Sequence, residues 1–403
     1  MNWNHLRVLK SKAVKMKNIC FLLLVILLSS CNGQSKTQLP SGKQSLQEPI
    51  AILETSEKAP ETEVSDVVKR STISGKAVPN GPRGIIRNIM MDRYGDLWFS
   101  SFEGAFRYDG KNFISIGTQE GLNYNRIFSI MQQKSGDLWF GTVSGVDAFI
   151  GNRFEVPSIL KSYMDPRAII RPYLGFDYVN EYEFDMFKED EGLAKDVVSD
   201  MLEDKNGELW FATEFGIGRY DGKKFSRYTP LESIANNSVN SILEDNSGHL
   251  WFGMEGDLCM YDGKSFTKMG DKGDLDFKNV RALTQDKKGV IWFSTKDGVF
   301  EYDGKYFKNF TKQSGLKENY VESIYEDNSG KIWFGFHSVK NADPGAANYD
   351  GKSFTYFNRK DGLNDNTVFS IMEDKEGNMW FGTRNGVSRY DGKIFVRFSM
   401  DGC

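Results

Sequence analysis

The feature that most constrains this chain is a dipeptide that returns at a fixed interval. Apart from Trp3, every tryptophan is followed by phenylalanine: Trp98, Trp139, Trp210, Trp251, Trp292, Trp333 and Trp380, at spacings of 41, 71, 41, 41, 41 and 47 residues. A period in the forties marks a repeat architecture, in which each unit buries its apolar faces against its neighbours. The last unit, "TVFSIMEDKEGNMWFGTRNGVSRYDGKIFVRF" from Thr367 to Phe398, shows the grammar. Its runs "VFSIMED", "MWFGT", "VSRY" and "IFVRF" are strand-sized, and they are separated by "KEG", "RNG" and Asp391-Gly392. Asp-Gly between apolar runs is a strong hairpin signal. A helical repeat would not tolerate a glycine-bearing turn every ten residues or so. The chain is therefore all-β, a seven-bladed β-propeller with four antiparallel strands per blade over residues 81–403.

The recurring phrase, "EDNSGHLWFG" at Glu244–Gly253, is scaffold. Its Asp can accept hydrogen bonds from the turn amides, and its Gly can take the positive φ such a turn needs. Trp and Phe, adjacent on a strand, point to opposite faces and join one blade to both neighbours. A catalytic centre would not be copied into every blade. The phrase "ED..G.LWFGT..GV.RYDGK.F..F....GL....V.SI" resembles the two-component regulator propeller repeat across all seven units. That family's propellers form periplasmic sensor regions of large bacterial histidine kinases and are associated with carbohydrates. The resemblance implies the fold and a recognition role. The second propeller, further β-domain, membrane span and kinase of the large receptors are not expected in this chain, so phosphotransfer is not carried over.

The formal charge is −4, and the basic residues Arg7, Lys10, Lys12, Lys15 and Lys17 precede the apolar run "FLLLVILLSSC" at Phe21–Cys31. Without those five the remainder stands near −9, the opposite of a general nucleic-acid binder. The run is too short for a comfortable membrane span and is flanked as a secretory signal should be. Leu28-Ser29-Ser30-Cys31 resembles a lipobox, with Cys31 as the lipidated residue. Residues 1–30 are thus expected to be a lipoprotein signal peptide, and 31–80, rich in Gln, Ser, Thr, Lys and Glu, a flexible tether. The implied place is the cell envelope, lipid-anchored at the outer membrane and facing the periplasm. The membrane would be met through the lipid alone.

Classical site chemistry is sparse beyond this segment. The histidines there are His249 and His337, and the cysteines Cys259 and Cys403. Neither pair suggests a metal site, a disulfide framework or a cofactor. Cys259 falls on a strand and reads as a buried thiol, His249 as a solvated turn residue. No Ser-His-Asp set is apparent, and no catalytic residue is assigned.

Function is sought where the repeats differ. The fourth-to-first and second-to-third strand connections share one face, which would ring the axis with differing loops. The second residue of the inner strand varies most: Arg87, Phe128, Ser199, Asn240, Arg281, Glu322 and Phe369. The next is mostly small or polar: Asn88, Ser129, Asp200, Ser241, Ala282, Ser323 and Ser370. With the loop residues Phe102, Arg126, Phe215, Tyr320, His337 and Arg384, the positions Arg87, Phe128, Asn240, Arg281 and Glu322 make the candidate ligand-binding set. Aromatic faces beside Arg, Asn and Glu suit an oligosaccharide or a peptide.

Two insertions interrupt the pattern. Blade six lengthens its second-to-third loop over His337–Asn348. Blade two carries extra residues around 157–180. Both Phe154 and Phe184 fit the start of its fourth strand; the usual distance from Phe184 to Val198 places the insertion between strands three and four, on the opposite face. The leading reading is a non-catalytic binding or sensory lipoprotein. A scaffold binding another envelope protein through the insertion is the alternative, and a lyase or hydrolase using rim carboxylates the second. Ring closure is not evident, unless residues near 70–78 add a strand.

Overall fold

The computed structural model describes residues 75–398 other than 151, 152, 156–196, 223, 229–237, 273, 274, 276 and 339–342. Among the described residues seven antiparallel sheets follow one another along the chain, each ordered from first to fourth strand, and blade one carries a further strand at its outer edge. The seven-bladed β-propeller expected from the repeats is the observed fold.

Blade seven shows how sequence becomes blade. Its strands are Val368–Glu373, Met379–Thr383, Gly386–Tyr390 and Phe395–Phe398. First strands of adjacent blades lie against one another and so line the axis. The second strand is buried along its whole length because both of its faces meet other blades, which is why it reads as a continuous apolar run. The outer strand is only partly buried.

Trp and Phe do divide between neighbours. Trp210 packs with Ile242 and Phe252 of blade four, while Phe211 lies with Met131 and Trp139 of blade two. The pattern closes the ring, with Trp380 of blade seven 5.8 Å from Phe99 of blade one between ring centroids. The turn Asp does more than hold amides. Asp245 accepts hydrogen bonds from the amides of Ser247 and His249, each 2.9 Å, and from the Trp251 indole nitrogen, 2.9 Å. Each turn thereby fixes the orientation of the tryptophan six residues on. Gln133 takes this role in blade two, 3.2 Å from the Trp139 indole nitrogen. His249 is tied to the same carboxylate at 3.1 Å, so it belongs to the turn rather than to free surface.

A ladder of bonds crosses between blades below these turns. The side chain of the residue before a turn Asp accepts the amide of the residue that follows the turn Asp of the preceding blade, as in Lys205 to Glu244 at 2.8 Å and Asn246 to Gln285 at 2.8 Å. The junction of blade seven with blade one has Met91 at that position and lacks the rung. A different device closes it. The strand Lys76–Val78 pairs with Phe113–Ile116 as a fifth, outermost strand of blade one, so the sheet begins ahead of residue 81. The segment after it reaches blade seven: Gly84 O accepts the Gly386 amide at 2.9 Å. At Gly81, whose φ is +85°, a Cβ would lie 2.8 Å from the Phe398 Cβ. Among the described residues no strand is shared between the first and last blades.

The blade-two insertion requires a correction. Arg153–Glu155 pairs with Gly145–Ile150, with Phe149 opposite Phe154, so the fourth strand comes immediately after the third. The extra residues therefore follow strand four, in the connection to blade three, not between strands three and four. Residues 157–180 themselves lie outside the described residues, as do the segment with Cys31 and Cys403. Cys259 is fully buried, and burial pushes its thiol up to about 12.

Candidate functional site

A cavity of about 220 Å³ opens on the axis at the start of the first strands. Its wall takes the second residue of all seven: Arg87, Phe128, Ser199, Asn240, Arg281, Glu322 and Phe369. The reason lies in the backbone. The pairing of first and second strands slips by one residue between Ile86 and Asn88, and likewise in blades two, three, four, six and seven. The second residue is the extra, unpaired residue of a β-bulge, turned out of the ladder toward the axis. Blade five differs. Its first strand is paired only over Leu283–Gln285, after Asn279 with φ +58° and the unpaired Arg281.

One side of the mouth is a chain of rings and cations. The Arg126 guanidinium lies 4.4 Å from the Phe102 ring centroid, and Phe102 is 5.4 Å from Phe128. Arg87 sits between Phe128 at 6.0 Å and Phe369 at 4.8 Å. Phe369 leads to His337 at 6.1 Å, His337 to Tyr320 at 5.1 Å, and Tyr320 to Arg281 at 4.9 Å. The arc passes through blades one, two, seven, six and five. Cation–π contacts of this kind gain strength where water is excluded. The remaining side, from blades three and four, offers Ser199, Asp200, Asn240 and Ser241.

The charges are unevenly matched. Arg281 reaches Glu255 at 3.8 Å and Glu322 at 3.9 Å. Glu322 also meets His337 Nδ1 at 3.0 Å. Burial alone would push the Glu322 carboxyl up, but the His337 hydrogen bond and the charges of Arg281 and Arg87 together hold it below its ordinary value. Burial lowers the Arg87 guanidinium, with Glu322 acting against it. Asp200 is pushed up to about 6 by burial, although the amides of Met201 and Ile242 donate to it, each at 2.9 Å.

Most of the expected set converges. Arg87, Phe128, Asn240, Arg281 and Glu322 line the cavity, and Phe102, Arg126, Tyr320 and His337 form the arc around it. Asn240 is partly committed to structure, donating to Val280 O at 3.0 Å. Phe215 and Arg384 stand exposed on turns and are not brought into the cavity wall. Glu255 and Asn279 were not anticipated. Asn279 faces the Glu255 carboxylate with its amide, and together they flank Arg281. The available signal was irregularity: "MEGD" replaces the usual second-to-third turn in blade four. Among the described residues, no group of three or more His, Cys, Asp or Glu could hold a metal ion.

The molecule is thus a seven-bladed repeat propeller whose variable residues gather at one end of its axis. Its repeats match the pattern of the two component regulator propeller family at residues 121–144, 192–215, 233–256, 274–297, 315–338 and 362–385. No curated protein matches the sequence. Among solved structures, the extracellular domain of a hybrid two component system from B. thetaiotaomicron aligns over 76% of this chain at 20% identity, TM-score 0.59. That of a one component system from the same organism aligns over 78% at 19% identity, TM-score 0.57. This chain spans 40% of the length of each. Virginiamycin B lyase from Staphylococcus aureus has the same fold at 13% identity and TM-score 0.53, over 78% of this chain and 97% of the lyase. These likenesses are of fold.

Proposed function

We propose that this chain is an envelope lipoprotein, anchored at the outer membrane through Cys31 and facing the periplasm, whose propeller is a non-catalytic binding or sensory module. Its ligand is an oligosaccharide or a peptide, with an oligosaccharide favoured, seated on the axial mouth. The arc from Arg126 to Arg281 carries this reading. It offers flat apolar faces interleaved with donors on one wall, and amide, hydroxyl and carboxyl groups on the other, the mixture that orients a polar ligand. The cavity of about 220 Å³ is smaller than the roughly 300–1,000 Å³ of pockets that enclose a drug-sized ligand. It takes one residue of a longer chain, the rest lying across the rim. The fold's kinship with extracellular sensory domains supports an envelope location.

The test is thermal unfolding of residues 75–403 against cell-wall, plant and host oligosaccharides and peptides. A ligand at a hundred times its dissociation constant stabilises by about 2.7 kcal/mol. A shift reproduced by calorimetry and lost in Phe128→Ala and Phe369→Ala is the expected result. A shift that both variants retain places the ligand elsewhere and overturns the axial site.

A further inference from the structure

We infer that the axial site selects acidic saccharides, and that a carboxylate or sulfate of the ligand sits on Arg87. This rests on the saccharide-binding reading above and specifies its chemistry. Two guanidiniums line the cavity, and their circumstances differ. Arg281 is flanked by Glu255 and Glu322, and Glu322 also holds His337, so these two carboxylates make their close contacts there, with the Glu322 charge felt at Arg87 only from a distance. The Arg87 side chain makes no hydrogen bond or ion pair among the described residues. Its neighbours are the rings of Phe128 and Phe369, which accept its face and leave the N–H groups at its edge unused.

A half-buried guanidinium has shed part of its hydration, and rings return only some of what is lost. The planar fork of arginine matches a two-oxygen anion, and such charge-assisted bonds are about twice as strong as neutral ones. The flanking rings fix the plane of the fork before any ligand arrives, which lowers the ordering cost of binding. They also provide apolar faces on which the sugar bearing the anion can lie. Arg126, by contrast, is exposed over Phe102 and keeps its water. It can attract an acidic ligand but is not built to fix one.

The experiment is isothermal titration of residues 75–403 with matched di- and trisaccharides in three classes: neutral, uronate-containing and sulfated. Binding by at least one acidic class is expected, weakening at least tenfold between 50 and 500 mM salt and at least tenfold in Arg87→Met. Lys111→Met, on an exposed third-to-fourth strand turn outside the site, should change it less than threefold. The class that binds distinguishes a carboxylate from a sulfate. Neutral saccharides binding as tightly as acidic ones, with no salt dependence, would overturn the inference while leaving the binding role intact. That comparison uses the unaltered protein, so it stands even if Arg87→Met fails to fold. If no saccharide of any class binds, both this inference and the saccharide reading fall.

Discussion

Asp200 shows how much a single position can matter in a repeat. Six other blades fill it with Asn88, Ser129, Ser241, Ala282, Ser323 and Ser370, whereas blade three buries a carboxyl group. Burial pushes that group from 3.8 up to about 6. The sign follows directly. Below pH 4 the folded and unfolded chains both hold the proton. Between about 4 and 6 the unfolded chain releases it and the folded chain keeps it, so stability falls as pH rises through this window. Above pH 6 the ionised group costs about 3 kcal/mol relative to the acid limit. Asn88 shows that an amide fits the place: its Oδ1 accepts the Ile130 amide of the next blade at 3.4 Å. Asp200→Asn gives up one acceptor but removes the ionisation. Its melting temperature relative to the unaltered protein should therefore rise between pH 4.5 and 7.5. A constant difference across that range would refute the assignment.

At the scale of the element, the first and second strands are matched through a notch. Opposite Ser129, Ser241, Ser323 and Ser370 the second strand has Gly141, Gly253, Gly335 and Gly382. A Cβ on Gly253 would lie 2.5 Å from the Ser241 Oγ and 2.8 Å from the Val280 Cγ1. Where the second strand carries Ser100 or Ala212, the first carries Asn88 or Asp200 instead. The serine hydroxyl here is a filler; Ser241, Ser323 and Ser370 find no partner for it. Gly253→Ala should destabilise by about 1–3 kcal/mol by overpacking. Ser241→Ala should be near neutral, because an unpartnered hydroxyl gives up little. The double variant should recover part of the loss, read by urea unfolding. Full additivity of the two effects would mean that the notch is not shared.

Element-level grammar was also what the sequence disclosed best. Turn residues and the Trp-Phe pair are local signals that every blade repeats, so strand order and the variable second residue could be located by comparing units. The bond from turn Asp to tryptophan spans six residues and has no composition of its own. Blade two lacks the Tyr-Asp-Gly that announces a fourth strand, having "FIGNRF" instead. With that punctuation missing, Phe154 and Phe184 looked equivalent and spacing chose the wrong one. Which arginine would be neutralised was likewise not legible, because Glu255 and Glu322 come from different blades and meet only when the ring forms.

At the scale of the whole molecule, the seam between blades seven and one carries the burden of closure. It lacks the inter-blade rung at Met91 and relies instead on the segment from Lys76 to Gly84. Gly81 and Gly110 offer a controlled comparison, with φ of +85° and +93°. Gly81 abuts Phe398, whereas Gly110 has open space about it. Alanine at either pays for the backbone conformation, and Gly81→Ala should cost about 1–3 kcal/mol more by crowding the seam. Equal losses on thermal unfolding would show that the segment does not hold the ring shut. The bulges have a consequence of another kind. A side chain excused from the ladder can be exchanged without disturbing strand register, and in six of seven blades that excused residue looks onto the axis. Ligand preference and fold are thereby inherited separately. A lineage can redirect such a protein toward a new molecule by editing one seat at a time, while the wheel that holds the seats stays as it was.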